Sequence, residues 1–361
     1  MRHYKMLFLL AGVGGALIFL AGILVSTELS LRKPIDEDNA VEHAFSDRKT
    51  DRVPVALHHG GTLKEGRDRR KLFERELNEI RTLLESAKKV GPAAIRKAQT
   101  IQSGALERVA SEDWEFLKKE FTRGDEPRGY RGLLIVLIGQ SGSDQGAAAI
   151  APLYDLHPIK VVEGLKRHGG EAGLSAIQGI YSELESNRPK YGLIKATSGF
   201  PGELSRPWLV ELMETETEDF ILRTVVTQLR QFPSRHSLNA LENFARSRHE
   251  DPKQRSLVAR AFNSMAAIPG GAAHLLSIGI VENEPVSVSD PALRALAFSR
   301  DSGAITPALE ALIGGRGDAQ ALEQYLSRNL GPEHAGIVSV FLEMTQDSGL
   351  KSRLKALTAT D

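Results

Sequence analysis

A short pattern of residues occurs twice in the second half of the chain and constrains the fold more than any other feature. Asp, Pro, Arg and Leu recur at the same offsets in two copies that begin 39 residues apart: Asp251, Pro252, Arg255, Leu257 and Asp290, Pro291, Arg294, Leu296. An Asp before a helix accepts a hydrogen bond from a first-turn N–H, and Pro suits the first helical position. Each copy therefore predicts the start of a helix, and a looser copy begins at Asp219.

The repeated pattern resembles the first helix of HEAT repeats, which opens with Asp-Pro, an apolar residue and Arg. Residues 290–297 match that opening well, whereas the copy at 251 has Gln254 in place of the apolar residue. The resemblance is clearest over residues 219–298. It implies an all-α fold, an α-solenoid of stacked helix pairs; a tetratricopeptide stack is the alternative, which the offsets disfavour. It also implies a structural ladder between neighbouring repeats, formed by Asp251, Arg255, Asp290 and Arg294.

The pattern of short helices extends over most of the chain. After Gly124, amphipathic stretches of roughly 10–16 residues alternate with Gly, Pro, Ser and Asp, which end helices. The pattern predicts a helical repeat domain over 124–361, with helices near 129–140, 144–155, 158–168, 171–186, 190–198, 206–215, 218–231, 236–247, 252–267, 271–282, 291–300, 305–314, 318–329, 332–346 and 349–358. The apolar run 133–138 is predicted as a buried helix, because no other strand-like run accompanies it.

Residues 69–123 predict an N-terminal helical cap on this domain. On a helix over 69–90, Phe73, Leu77 and Ile80 recur at spacings of four and three, but too few heptads fit before Gly91 for a coiled coil, so the helix is expected to pack on its successors. Two further helices are expected after it, and Ser111 is the expected cap of the second of them. The residues of these two helices that are expected to face inward are Ala94, Ile95, Ala98, Ile101, Trp114, Leu117 and Phe121.

The N-terminus carries a long apolar segment. Residues 7–25 contain no charged residue and are about long enough to cross a bilayer as a helix, and Arg2 and Lys5 precede them. They predict a transmembrane anchor over 1–26; a cleaved signal peptide is the alternative, although the segment exceeds a usual signal core and no Ala-x-Ala site follows. The flanking charges favour a cytoplasmic N-terminus, with the helical body outside. Residues 27–68 are polar and predict a flexible linker.

The charge balance and the absence of cysteine exclude several classes of function. Lys+Arg and Asp+Glu both number 46, so the chain lacks the basic surplus of a general nucleic-acid binder. The chain contains no cysteine, which excludes disulfides, thiol catalysis and Cys-based zinc sites. We therefore expect no nucleic-acid partner.

The sequence contains fragments of catalytic motifs, but none is complete. Residues 139–143 lack the spacing of a nucleophile elbow and predict a helix connection. Residues 316–318 spell Arg-Gly-Asp, which Asp318 explains as a helix cap, and His249 lacks the second histidine of a zinc-protease motif. The acidic run 214–219 is interpreted as a solvated surface. The sequence thus predicts no catalytic, cofactor-binding or metal-binding residue.

These expectations together favour one function. A membrane anchor, a linker and a helical repeat domain are typical of a non-enzymatic scaffold that binds other proteins at a membrane, since stacked helical repeats offer extended binding surfaces. The alternatives are an envelope enzyme with dispersed catalytic residues and a HEAT-like module that handles a substrate. The expected contacts are one or more protein partners and a membrane through residues 7–25.

Overall fold

The regular structure of the chain is entirely helical where it is described. A computed structural model describes residues 63–90, 92–124, 127 and 129–358, and these residues form no strand. The predicted all-α class is therefore confirmed for this part of the chain. The predicted anchor at 7–25 and nearly all of the predicted linker lie outside the described residues. None of the helices described is both long enough and apolar enough to cross a bilayer.

Eighteen α-helices follow one another in the described residues, several of them preceded by a short 3₁₀ turn. They are α1 (Leu63–Val90), α2 (Pro92–Arg108), α3 (Trp114–Phe121), α4 (Tyr130–Gln140), α5 (Asp144–Ile150), α6 (Pro158–His168), α7 (Glu171–Glu183), α8 (Asn187–Ala196), α9 (Gly202–Thr215), α10 (Asp219–Leu229), α11 (Arg235–Arg246), α12 (Arg255–Ala266), α13 (Gly271–Gly279), α14 (Val286–Phe298), α15 (Ile305–Ile313), α16 (Ala319–Asn329), α17 (Ala335–Met344) and α18 (Ser348–Thr358). Most predicted helices are found close to their predicted bounds, and the run 133–138 lies within α4, as predicted.

From α4 onward the helices pack in two alternating series. In the first series each helix packs on the next member: α4, α6, α8, α10, α12, α14 and α16. In the second series the same holds for α5, α7, α9 and α11 and then for α13, α15 and α17. Side chains join α11 to α13, since Glu242 and His274 are hydrogen-bonded at 2.7 Å. Helices thus pack mainly on helices that are near in sequence.

α4 is the most deeply buried helix at the start of this arrangement. It contacts α1, α2 and α3 on the N-terminal side and α5 and α6 on the other. Its residues from Leu133 to Gly139 are all buried, as expected of a helix that is apolar on every side. At its crossing with α6, the backbones of Gly139 and Gly164 touch. A Cβ at Gly139 would lie 2.0 Å from the carbonyl oxygen of Gly164.

The first copy of the repeated pattern begins a helix, as predicted. Asp251 accepts a hydrogen bond from the backbone N–H of Lys253 at 2.9 Å. Pro252 opens a 3₁₀ turn over Pro252–Gln254 that leads into α12. The cap therefore satisfies a first-turn donor that the helix itself leaves free.

The prediction for the second copy is wrong, because Asp290 and Pro291 lie inside a helix. α14 begins at Val286, directly after Pro285, so Pro291 sits in its second turn. Pro291 has no N–H to donate within the helix, which weakens that turn. The added first turn places Val288 in the core, fully buried, and burial of such a side chain contributes about 1.5–3 kcal/mol. This contribution helps to offset the missing hydrogen bond.

The predicted Asp–Arg ladder between repeats is not formed. The side chains of Arg255, Asp290 and Arg294 are exposed and make no hydrogen bond or ion pair with another described residue. Asp290 is also displaced from the helix start, where a ladder residue would stand. The side chain of Asp251 is used by its own turn, so all four predicted members lack an inter-repeat partner in the described residues.

Different side chains connect the equivalent helices α10 and α12. The amide of Gln254 donates to Asp219 at 3.5 Å, and Arg223 donates to the hydroxyl of Ser256 at 3.0 Å. Gln254 is the residue at which the first copy departs from the HEAT pattern. The departure therefore supplies a contact between neighbouring helix pairs that the pattern did not predict.

The first three helices differ from prediction in a few details. α1 begins at Leu63, inside the predicted linker, and Phe73, Leu77 and Ile80 are buried against its neighbours as predicted. Ile95 was expected to face inward but is 38% exposed. Ser111 does not cap α3 with its side chain; instead Asp113 accepts a hydrogen bond from the backbone N–H of Ala110 at 2.9 Å.

His168 gives the fold a dependence on pH. His168 is the last residue of α6. Its side chain is 3% exposed, and its ring accepts a hydrogen bond from the backbone N–H of Gly170 at 3.2 Å. Burial lowers the pKa of His168, although Asp144 and nearby backbone groups oppose the shift. As the pH falls, the unfolded chain therefore takes up a proton at His168 at a higher pH than the folded chain does. The stability that the neutral ring contributes is complete above about pH 6.5 and is lost as the pH falls through the lower folded-state pKa.

We expect His168→Gln to reduce the loss of stability on acidification. The measurement is urea unfolding of the full chain in mild detergent, at about pH 7.5 and about pH 5, on either side of the ordinary histidine pKa. His236→Gln is the matched control, because it makes the same exchange at an exposed position. An unchanged pH dependence in His168→Gln would show that the buried ring does not titrate as described.

Candidate functional site

A groove between α9 and α11 is a candidate binding site in the described part of the chain. Its volume is about 540 Å³. Seven polar or charged and five apolar side chains line it, and apolar atoms make up most of the lining surface: Arg206, Pro207, Val210, Met213, Glu214, His236, Asn239, Ala240, Asn243, Phe244, Ser247 and Arg248. The two helices turn other residues inward, including Trp208 and Leu209 of α9 and Leu241 of α11, so packing of the core fixes the groove walls.

Arg248 is held in place at one end of the groove. It donates to the carbonyl oxygen of Met213 and to the hydroxyl of Ser247, each at 3.0 Å. Its guanidinium lies 4.0 Å from the centre of the Phe244 ring. Partial burial lowers the pKa of Arg248, but an arginine remains protonated at any ordinary pH. No carboxylate of the described residues pairs with this positioned cation.

Arg206 is the second cation of the groove. Its Nε atom is buried and has no hydrogen-bond partner among the described residues, and its guanidinium forms no ion pair with them. Because no described residue accepts a hydrogen bond from Arg206, the exposed part of its guanidinium is free to donate to an acceptor on a ligand in the groove. Arg206 and Arg248 thus present two guanidiniums to one groove.

Two asparagines complete the polar lining. Asn239 and Asn243 are exposed on successive turns of α11 and therefore lie on the same face of the helix. Each carboxamide offers both donors and an acceptor, as a peptide group does. Glu214 is the one carboxylate among the lining residues, and it is exposed at the α9 side. The two arginines outnumber the one glutamate, so the groove carries a net positive charge without any contribution from His236.

A charged cluster on the other side of α11 is paired within itself. Arg246 donates to Glu242 at 2.7 Å and to both carboxylate oxygens of Glu284, at 2.6 and 3.1 Å. His274 contacts Glu242 at 2.7 Å. Burial would raise the pKa of Glu242, but hydrogen bonds from Arg246 and His274 outweigh it and lower the pKa.

The cluster is a histidine–carboxylate pair without a hydroxyl nucleophile. Among the described residues, the only side-chain hydrogen bond of the His274 ring is the one to Glu242. Glu242 is also bound by Arg246, which keeps it ionised and occupied. The arrangement joins α11, α13 and the segment before α14.

The acidic run at 214–219 was interpreted as a solvated surface, and part of that interpretation is wrong. The carboxylate of Glu216 is half-buried, accepts a hydrogen bond from the hydroxyl of Tyr181 at 2.5 Å and lies 3.7 Å from Nζ of Lys190. Burial, together with the bond to Glu216, raises the pKa of Tyr181. Glu216 therefore links α7, α8 and the end of α9, because helix packing brings Tyr181 beneath it.

The other motif fragments lie where the sequence placed them. Ser141 is buried and donates to the carbonyl oxygen of Ile138, within the turn between α4 and α5. Asp318 caps α16 through the backbone N–H groups of Gln320 and Ala321. His249 contacts the hydroxyl of Ser287 at 2.9 Å. In the described part of the chain, no group of three potential metal ligands comes together.

The groove residues were not identified from the sequence. The spacing of Asn239 and Asn243 was visible there, but asparagine pairs at that spacing are common on solvated helices. The feature that distinguishes the groove is that Arg206 and Arg248 have no carboxylate partner among the described residues, and this depends on how α9 packs beside α11. Comparison with protein-family models, with curated proteins and with solved structures finds no match to this chain.

Proposed function

We propose that the chain is a membrane-anchored, non-enzymatic scaffold whose helical body binds other proteins at a membrane surface. The observation that carries the proposal is the groove between α9 and α11. It presents exposed carboxamides and two arginines that no carboxylate of the described residues neutralises. These groups can donate hydrogen bonds to polar groups of a partner, and arginine is enriched at protein–protein interfaces.

The body that presents this groove is, in this proposal, a HEAT-like α-solenoid. Two alternating series of helices support that interpretation, because each helix packs mainly on helices near in sequence. The contacts of Gln254 with Asp219 and of Arg223 with Ser256 also support it, since they join equivalent helices of neighbouring pairs. They occupy the place of the ladder that the sequence pattern implied.

The membrane anchor in this proposal is residues 7–25, with the helical body outside the cytoplasm. Support comes from the uncharged length of the segment and from Arg2 and Lys5 before it. Protease treatment of right-side-out vesicles that contain a C-terminally tagged chain tests both points. Loss of the tag is expected. Protection of the tag would place the body in the cytoplasm, and a tag in the soluble fraction would contradict the anchor.

Affinity purification tests the scaffold function. The full chain is cross-linked in its native membrane, extracted in mild detergent and purified by its tag, and the bound proteins are identified by mass spectrometry. We expect one or a few proteins in constant proportion to the chain. Recovery of no stable partner, together with an enzymatic activity of the purified chain, would contradict the proposal and support the alternative of an envelope enzyme.

A further inference from the structure

We propose that the groove between α9 and α11 binds an acidic, extended segment of a partner protein. In this proposal the guanidiniums of Arg206 and Arg248 bind carboxylates of the segment, and the carboxamides of Asn239 and Asn243 bind its backbone. The proposal rests on the proposed scaffold function and names the chemistry of its partner. It follows from the geometry and the charge of the groove.

The position of Arg248 makes it a prepared carboxylate site. Its two Nη atoms donate to the carbonyl oxygen of Met213 and to the hydroxyl of Ser247, and its guanidinium lies 4.0 Å from the centre of the Phe244 ring. A guanidinium that is already immobilised loses little conformational freedom on binding, which favours affinity. Because Arg248 is half-buried, a carboxylate bound to it is screened less by water than at an exposed arginine.

Arg206 extends the site along α9. Its buried Nε has no hydrogen-bond partner among the described residues, and it lies on the same groove as Arg248. Two cations in one groove favour a segment with more than one acidic residue. Glu214 repels such a segment on the α9 side, but Glu214 is exposed and its charge is better screened than that of Arg248.

The asparagines favour a peptide as the carrier of these carboxylates. Asn239 and Asn243 project from successive turns of α11, about 6 Å apart along the helix axis. That separation is close to the repeat of every second residue in an extended chain, about 6.6–6.8 Å. One carboxamide can therefore bind a peptide group of the segment and the other can bind the peptide group two residues further on.

A nucleic acid fits the groove less well than an acidic peptide. Nucleic-acid sites need several phosphate contacts along a basic surface, and single strands also need exposed aromatic rings for stacking. This groove holds two arginines and one glutamate, and the guanidinium of Arg248 covers the ring of Phe244. The charge pattern therefore favours a few carboxylates over a continuous phosphate backbone.

Fluorescence anisotropy with the full chain in mild detergent tests the proposal. The probe is a fluorescein-labelled peptide in which four glutamates alternate with serine and glycine, and its counterpart carries glutamine at the same four places. We expect the glutamate peptide to bind about tenfold or more tightly than the glutamine peptide, as ion-assisted hydrogen bonds at two arginines imply. Arg248→Ala and Arg206→Ala should each weaken binding of the glutamate peptide by about tenfold.

Two further variants separate binding from folding. Asn243→Asp removes no structural contact from an exposed side chain and adds a negative charge to the groove, so it should also weaken binding of the glutamate peptide. Arg294→Ala is the matched control, because Arg294 is an exposed arginine of α14 with no described partner, and its loss should leave binding unchanged.

The proposal is contradicted if the two peptides bind equally, or if Arg294→Ala weakens binding as much as Arg248→Ala does. A labelled single-stranded oligonucleotide that binds more tightly than the glutamate peptide would contradict it in favour of a nucleic acid. These failures differ from failure of the scaffold function. Partners recovered by affinity purification without any preference for glutamate would leave the scaffold standing and remove only the acidic segment.

Discussion

Replacing Asp113 with alanine is expected to lower the free energy of unfolding by about 3 kcal/mol, the lower end of the range for a broken buried ion pair. The carboxylate of Asp113 is fully buried. It binds Arg69 at 2.6 Å and Arg70 at 3.1 Å, both on α1, and it accepts the backbone N–H of Ala110. It therefore fastens α1 to the segment that precedes α3.

The lower end of the range applies because the two arginines keep some contact with water. Their side chains are 24% and 31% exposed, so both guanidiniums can be partly hydrated once the carboxylate is gone. The hydrogen bond to Asp113 also raises the pKa of Arg69, because it stabilises the protonated guanidinium. The N–H of Ala110 loses its partner as well, and this adds to the cost.

Urea unfolding followed by tryptophan fluorescence measures this effect. Trp114 is adjacent to Asp113 and is buried, so its emission reports directly on this region. Glu112→Ala is the matched control, because Glu112 also binds Arg69, at 2.7 Å, but is 65% exposed. A surface pair of that kind contributes about 0–1 kcal/mol. Equal losses in the two variants would contradict the role given to the buried carboxylate.

Replacing Gly139 with alanine is expected to lower the free energy of unfolding by about 3 kcal/mol or more, at or above the usual cost of overpacking. The new methyl group would lie 2.0 Å from the carbonyl oxygen of Gly164, and 2.3 Å from its carbonyl carbon. The obstacle is backbone, so α4 and α6 must move apart to relieve it. Alanine gains about 1 kcal/mol in helix propensity over glycine, too little to compensate.

Gly179→Ala provides the matched control for this prediction. Gly179 also lies inside a helix, α7, but no atom stands within 4 Å of the place where its Cβ would be. We expect this variant to gain stability, by about 0.5–1 kcal/mol, because only helix propensity changes. The comparison uses urea unfolding of both variants. A Gly139→Ala protein as stable as the unmodified chain would show that the helices do not cross this closely.

Much of the helical fold could be predicted because local signals decide it. Glycine, proline and capping residues end the helices, and each signal acts within one turn. Asp251 and Asp318 cap helices as predicted because their hydrogen bonds run to residues two or three positions ahead. The buried character of α4 could also be predicted, since its residues are apolar on every face.

Predictions failed where packing between helices overruled a local signal. Pro291 was expected to start a helix, but burial of Val288 extends α14 ahead of it. Ile95 fits an apolar stripe on α2, but it remains 38% exposed while Ala94 and Ala98 of the same helix are buried. The Asp–Arg ladder failed because its residues are exposed, while Gln254 makes the contact between helix pairs. Each of these outcomes depends on contacts between different helices, so the residues within one helical turn do not determine it.

The candidate site was the least predictable part, because its defining feature is that two arginines lack a carboxylate partner among the described residues. Arginine is common on protein surfaces, and most arginines near a carboxylate form ion pairs. Arg246 and Arg248 are two residues apart on the sequence, yet Arg246 pairs with two glutamates and Arg248 with none that is described. Glu242 lies four residues before Arg246 on the same helix, but the second partner, Glu284, reaches Arg246 only through the packing of the segment before α14.

Site-specific photo-cross-linking in the native membrane tests directly whether the groove is a binding site. A benzoylphenylalanine is placed at position 236, which lines the groove but is not among the four side chains proposed to bind the partner, or at position 324, on the exposed side of α16. We expect position 236 to yield one or a few protein adducts, Arg248→Ala to suppress them, and position 324 not to yield the same adducts. Absence of any protein adduct at position 236, or adducts that persist in Arg248→Ala, would contradict the groove as the binding site.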